Sequence, residues 1–162
     1  MANALTPVLE IQGLVRGGGA RFDREQLSAL DASAQIEDAG TLVSGKRGRA
    51  VKLAAIARAA GVDAEALHVH MLSSESGFQV SVPIGEVLAR AVVVYELDGK
   101  TLPPEKGGPF RLLACGHLDE CVSVKALAKI SFLAAPGVDT RPKNDEEHRR
   151  LHERARANAK PQ

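Results

Sequence analysis

The sequence predicts an α+β domain in which mixed β-sheets are joined by short helices. Apolar runs of strand length recur at residues 8–15, 67–72, 78–82, 92–97, 110–114 and 122–132, bounded by Gly, Pro, Asp or Ser. Only residues 51–60 (VKLAAIARAA) combine helix length, helical spacing and a stop signal, Gly61. Short strands outnumber helices, and no strict strand–helix alternation marks an all-parallel sheet.

Residues 8–15 (VLEIQGLV) partly alternate and predict the first strand. RGGGA, residues 16–20, is a turn: it lacks GxGxxG spacing, and no Lys-Ser or Lys-Thr follows to make a phosphate loop. Residues 22–30 predict a short helix capped by Asp23, with Phe22, Leu27 and Leu30 on its apolar face. Residues 34–48 are expected to hold one strand at 41–43, then a basic Gly-rich loop, SGKRGR. LHVHML, residues 67–72, is a strand with His68 and His70 on one face and Leu67, Val69 and Met71 on the other. Pro83 ends the strand at 78–82, and residues 84–89 form a short helix or turn.

The 92–97 run is a strongly apolar strand, and Asp98-Gly99 is a hairpin turn. Leu102-Pro103-Pro104 cannot lie in a central strand, because two prolines remove backbone donors. Residues 110–114 and 122–132 are expected to close the sheet. The domain is expected to span residues 1–135. Residues 136–162 are expected to be a charged tail or solvated helix, nearly devoid of large apolar side chains.

Composition excludes several function classes. Net charge is +1, which gives no global electrostatic case for nucleic acid or membrane binding. With 3% aromatic residues and no Trp, stacking platforms for bases or sugars are not expected. No run of 18 apolar residues predicts a membrane span. The first residues show no basic, apolar or twin-arginine export pattern, so cytoplasm is expected, or periplasm if a leader has been removed. Cys115 and Cys121 fit free thiols in a reducing compartment.

Residues 73–83 (SSESGFQVSVP), Tyr95 to Pro103 (YELDGKTLP), Gly107 to Leu112 (GGPFRL) and Val124 to Leu127 (VKAL) form an ordered series of motifs. Arg47 to Leu53 (RGRAVKL) is a fainter one before them. The series resembles the oxidoreductase molybdopterin-binding domain, the catalytic domain of the sulfite oxidase family. The resemblance covers roughly residues 8–132, and its second half carries the specificity. It implies a sulfite-oxidase-type fold and a molybdopterin cofactor. It also implies cofactor-binding roles for Lys46, Arg47, Arg49, Ser81 and Lys125.

The chain departs from that pattern where the chemistry sits. The family's molybdenum-ligating cysteine would fall in residues 34–48, which contain none. Ser44 and Thr41 offer only hydroxyls, poor replacements for a soft thiolate, and Asp38 is a candidate oxygen ligand. Phe78 stands where the resemblance implies an active-site tyrosine, losing the phenol proton. Val122 stands where an arginine would grip the cofactor phosphate, and Ala126 replaces the aromatic after Lys125. No catalytic residue and no metal ligand is assigned.

Other constellations have plain readings beside functional ones. Cys115, His117 and Cys121 (CGHLDEC) carry thiols and an imidazole, without the Cys-x-x-Cys spacing of a zinc knuckle. His68 and His70 suit a metal or pH sensing, but equally a solvated sheet face. His148 and His152 are i, i+4 in a run of Glu and Arg, as on a salt-bridged helix. Arg111 is expected to pair with Glu96 or Glu105. Two functions follow from the resemblance. One is a degenerate binding or assembly module that keeps a pterin or other anion and works with a protein partner or as a homo-oligomer. The other is a molybdopterin oxidoreductase with altered metal ligation, acting on a small oxyanion or sulfoxide-like group.

Overall fold

The computed structural model describes residues 6–75, 77–115 and 122–140. Two sheets face each other across the main core. The first contains β1 (Leu9–Gly13), β2 (Gly19–Phe22), β5 (His68–Ser73), β6 (Gln79–Pro83) and β10 (Leu127–Leu133), in the order β2-β1-β10-β5-β6. β10 runs parallel to β1 and antiparallel to β5. The second contains β3 (Gln35–Ile36), β4 (Arg49–Lys52), β7 (Ala91–Leu97) and β8 (Lys100–Thr101) in that order, with β9 (Arg111–Ala114) also paired to β7. Three helices, α1 (Arg24–Ser28), α2 (Leu53–Ala60) and α3 (Ile84–Arg90), connect strands among the described residues.

The main core draws Leu9, Ile11, Met71, Ile130 and Phe132 from the first sheet and Val51, Val93, Tyr95 and Leu112 from the second. Leu27 of α1, Leu53 and Ile56 of α2 and Val87 of α3 complete it. Each fully buried large apolar side chain of this kind contributes about 1.5–3 kcal/mol by leaving water. The opposite side of the second sheet carries a smaller cluster: Ala39, Ala50, Val92, Val94, Leu102 and Leu113. β7 supplies both clusters because its alternate residues face opposite sides. That accounts for its unbroken apolar run.

Local chemistry sets the element ends. Asp23 accepts from the Gln26 amide at 2.8 Å while the Gln26 side chain accepts from the Asp23 amide at 2.9 Å, a reciprocal cap on α1. Gly61 ends α2 in the left-handed region at φ 73°. Asp98 (φ 53°) and Gly99 (φ 78°) make the turn between β7 and β8, both central residues having positive φ as a two-residue hairpin requires. His68 and His70 share the partly exposed face of β5, opposite buried Val69 and Met71. Leu67 precedes the strand and is exposed.

Three expectations fail. Residues 39–41 form a 3₁₀ turn, and the strand of that segment is β3, earlier in the chain. The cause is local: the Asp38 carboxylate accepts from the Gly40 amide at 3.1 Å, and the Thr41 hydroxyl donates to the Asp38 carbonyl at 2.8 Å. The helix expected from residue 51 starts at Leu53, because Val51 is spent on pairing with Val93 in the second sheet. Residues 110–114 and 122–132 do not close one sheet. β9 lies in the second sheet and β10 in the first, linked by a lone bridge between Leu112 and Val124.

After β10 the chain turns back along β6. The Gly137 amide donates to the Ser81 hydroxyl at 2.8 Å, and the Thr140 amide donates to the Gln79 carbonyl at 2.9 Å. The Gln79 amide donates to the Thr140 hydroxyl at 3.0 Å. These bonds satisfy groups of a strand that is otherwise an edge. The charged tail from residue 141, with His148 and His152, lies outside the described residues.

Candidate basic cleft

A cleft of about 210 Å³ opens on the side of the second sheet that carries the smaller cluster. Val94 of β7 and Leu113 of β9 form its apolar floor, and Arg111 of β9 stands opposite Val94. Gly45, Lys46 and Arg47 line it from one loop, Glu105 and Lys106 from the 3₁₀ turn Pro104–Lys106, and Lys125 from the turn before β10. Five cations against one carboxylate give the lining a net charge of +4.

Asp38 shapes the first of these walls. Its Oδ1 accepts from the amides of Gly40 and Gly48, both at 3.1 Å, and the Ala39 amide donates to the Gly48 carbonyl at 2.7 Å. These bonds close the 39–48 loop at its base and hold the Asp38 carboxyl below its usual pKa. Both amide bonds fall on Oδ1. Arg47 forms an exposed 3.2 Å ion pair with Asp98, tying the loop to the β7–β8 turn. Gly48 has φ 125°, and an added Cβ would lie 2.7 Å from both the Glu96 carbonyl oxygen and Val94 Cγ1. Only glycine fits there.

Arg111 departs from expectation. Glu96 lies near Arg24 instead, at 3.8 Å, and Arg111 makes no ion pair among the described residues. Its Nη1 donates to the Lys106 carbonyl at 3.2 Å, while its Nε is buried with no partner. Burial lowers the guanidinium pKa from its ordinary value. Arg111 and Lys125 meet at Gly107, which has φ 88°. An added Cβ there would lie 2.8 Å from Arg111 Cδ and 3.2 Å from Lys125 Cγ.

The structure thus brings together three of the five residues singled out in sequence: Lys46, Arg47 and Lys125. Arg49 of β4 is outside the lining, with its Nε buried and unpartnered. Its charge acts on the Tyr95 hydroxyl. Ser81 lies in the other sheet, its hydroxyl accepting from Gly137. Phe78 precedes β6 and packs against the main core. Glu105 and Lys106 were given no site role in sequence, because nothing local brings their turn beside Lys125. The arginine in GGPFR was the available signal for Arg111.

Of the other constellations, His70 is hydrogen-bonded to Gln79 at 2.8 Å, and His68 has a buried, unpartnered Nδ1. Cys115 is half-buried at the end of β9 against the smaller cluster, and burial pushes its thiol pKa up. His117, Asp119 and Cys121 lie outside the described residues. Among the described residues, no three His, Cys, Asp or Glu side chains gather as a metal site would need.

The family model for the oxidoreductase molybdopterin binding domain matches residues 20–140. The chain belongs to this family. No curated protein matches its sequence. Among solved structures, it is similar to the sulfane dehydrogenase SoxCD from Paracoccus pantotrophus, with a TM-score of 0.61 and 18% identity. That match covers 80% of this chain and 39% of the other, and the likeness is one of fold. The α+β, sulfite-oxidase-type architecture expected from sequence is therefore confirmed. No helix among the described residues is long and apolar enough to cross a membrane.

The family binds molybdopterin. The cations of the cleft fit the anionic end of such a cofactor, since Arg and Lys side chains are the usual partners of phosphate. Among the described residues, the donor set for the metal does not fit. The one described cysteine, Cys115, is a thiol with a raised pKa whose Sγ points to the Leu113 carbonyl at 3.8 Å. It offers no ready thiolate.

Proposed function

We propose that this molybdopterin-binding-fold domain acts as a binding or assembly module that holds an anionic ligand in the basic cleft, without thiolate-ligated molybdenum. One observation carries the reading. Arg111 and Lys125 converge on Gly107, and among the described residues neither has a carboxylate partner. Cations that line one cleft without carboxylate partners suit an anionic ligand. The module's ligand is a pterin or another small anion. Its physiological partner is a protein or a second copy of the chain, in the cytoplasm.

Metal and pterin analysis of protein made in a host that synthesises the molybdenum cofactor tests this. Absence of molybdenum is the expected result. Near-stoichiometric molybdenum would overturn the reading in favour of an oxidoreductase with altered ligation, acting on a small oxyanion or sulfoxide-like substrate.

A further inference from the structure

β6 is the last strand of the first sheet, with the main core between it and the basic cleft. We propose that residues 137–140 are a detachable guard on its outer edge, and that the edge beneath them is a pairing surface for β6 of a second copy of the chain.

Backbone groups of an antiparallel strand point to its two sides by turns. The Phe78 carbonyl accepts from the Ser73 amide at 2.9 Å, so Phe78, Val80 and Val82 turn their backbone groups towards β5. Gln79 and Ser81 turn theirs outward, and the guard meets them there. The Thr140 hydroxyl accepts from the Gln79 amide at 3.0 Å, and the Thr140 amide donates to the Gln79 carbonyl at 2.9 Å. Asp139 Oδ2 accepts from the Ser81 amide at 3.3 Å. Two of these three bonds use side chains, and residues 134–140 form no strand beside β6. The guard therefore occupies the positions of a sixth strand without building its ladder.

Little else holds it down. Ala134, Ala135, Pro136, Val138 and Thr140 are exposed, and no apolar side chain of residues 134–140 is buried. Gly137 is half-buried against His70, and its amide donates to the Ser81 hydroxyl at 2.8 Å. A segment anchored by hydrogen bonds without apolar burial opens far more readily than the core does.

The covered edge matches itself. An antiparallel second copy that sets Gln79 opposite the partner's Ser81, and Ser81 opposite the partner's Gln79, makes two pairs, each exchanging both amide–carbonyl bonds. The two-fold axis passes at Val80. In that register Pro83, which has no amide proton, stands opposite the partner's Gly77, whose φ of 71° is not that of a strand. The ladder stops there. A long strand of another protein would find only the same two outward amides, whereas a second copy uses all of its own as well. A contact this short falls below the roughly 1,000 Å² of a stable interface, so the pairing is weak and reversible. A guard held by a few hydrogen bonds is enough to suppress it.

Sedimentation equilibrium and residue-resolved hydrogen exchange of the full chain test this. The double variant Asp139→Ala, Thr140→Val removes both side-chain acceptors. Both copies must open their guards to pair, so the cost of opening enters the apparent affinity twice. The double variant should therefore self-associate about tenfold or more tightly than the unaltered chain. Its Gln79 and Ser81 amides should exchange fast when dilute and slowly once the dimer forms. Adding Ser81→Pro removes an outward amide that β5 does not use, and should restore the monomer. Gly137→Val lifts the guard by another route, since an added Cβ would lie 3.2 Å from His70 Cδ2 and 3.0 Å from Leu133 Cδ1. It serves if the double variant fails to fold. A folded, released variant that stays monomeric would overturn the pairing surface. So would a dimer in which exchange at Gln79 and Ser81 ignores concentration. An unaltered chain that pairs as tightly as the double variant would overturn the guard. Neither readout depends on molybdenum or on what the basic cleft holds.

Discussion

The Tyr95 hydroxyl donates to the Gln35 side-chain carbonyl at 2.6 Å. Gln35 in turn donates through Nε2 to the carbonyls of Leu27 and Leu30, at 2.9 and 3.3 Å. One short chain of hydrogen bonds therefore joins β7 to β3 and to the end of α1, at the margin of the main core. Tyr95 is fully buried, and burial raises its pKa. Its neutral form is the stabilising one. That contribution is present below pH 10 and is lost as pH rises through the raised native value.

Tyr95→Phe should destabilise the domain by about 1–2 kcal/mol, since it leaves the Gln35 carbonyl without its donor. The urea midpoint would fall with an unchanged slope. An unmoved midpoint would mean that water replaces the phenol.

Asp38 should make the 39–48 loop acid-sensitive. Its folded pKa lies below the ordinary value of 3.8, through bonds from Gly40 and Gly48. The stabilisation is complete above that value and is lost as pH falls through the lowered one. Amide exchange at Gly40 and Gly48 should therefore accelerate, beyond the intrinsic pH trend, below about pH 4. Asp38→Asn keeps an acceptor and should abolish this dependence. Asp31, also lowered by its bond from Ser33, needs its own Asn variant as a control.

Gly48→Ala should cost about 2 kcal/mol or more, from positive φ together with overlap on Glu96 and Val94. Gly17→Ala is the comparison: φ is 72°, and nothing lies within 4 Å of the added carbon. Its cost should stay near about 1 kcal/mol. Equal losses in thermal unfolding would show that strain alone, not packing on β7, decides Gly48.

Cys115 should react slowly. In a Cys121→Ser background it is the single thiol, and its pKa is raised above 9.0 by burial. Modification by a disulfide reagent at pH 7.5 should be well below the rate of a small free thiol and rise steeply past pH 9. A fast reaction at neutral pH would instead show an accessible thiolate and reopen Cys115 as a metal ligand.

Much of this fold was legible because its signals are short. The Asp23 cap, the Gly61 stop, the Asp98-Gly99 turn and the 92–97 run each depend on a few neighbouring residues, and each appears where the pattern puts it. The segment at 39–43 failed because Asp38 bonds its own backbone, a local competitor that apolar pattern does not register. The family, too, was legible in the motif series from Ser73 to Leu127, since turn and core positions persist there.

The cleft was only half legible. The sequence by itself determined that the chain has no cysteine at residues 34–48 and that Lys46, Arg47 and Lys125 are available cations. Tertiary structure alone decided that Lys106 and Arg111 join three of those candidates, while Arg49 and Ser81 do not. Loop 45–47, the 105–106 turn and Lys125 are far apart in sequence. They meet because β4 and β9 pair with opposite edges of β7 and because Gly107 bonds to Ala126. Side-chain convergence depends on strand register and on space left by an absent Cβ, and neither is written in any short window of residues.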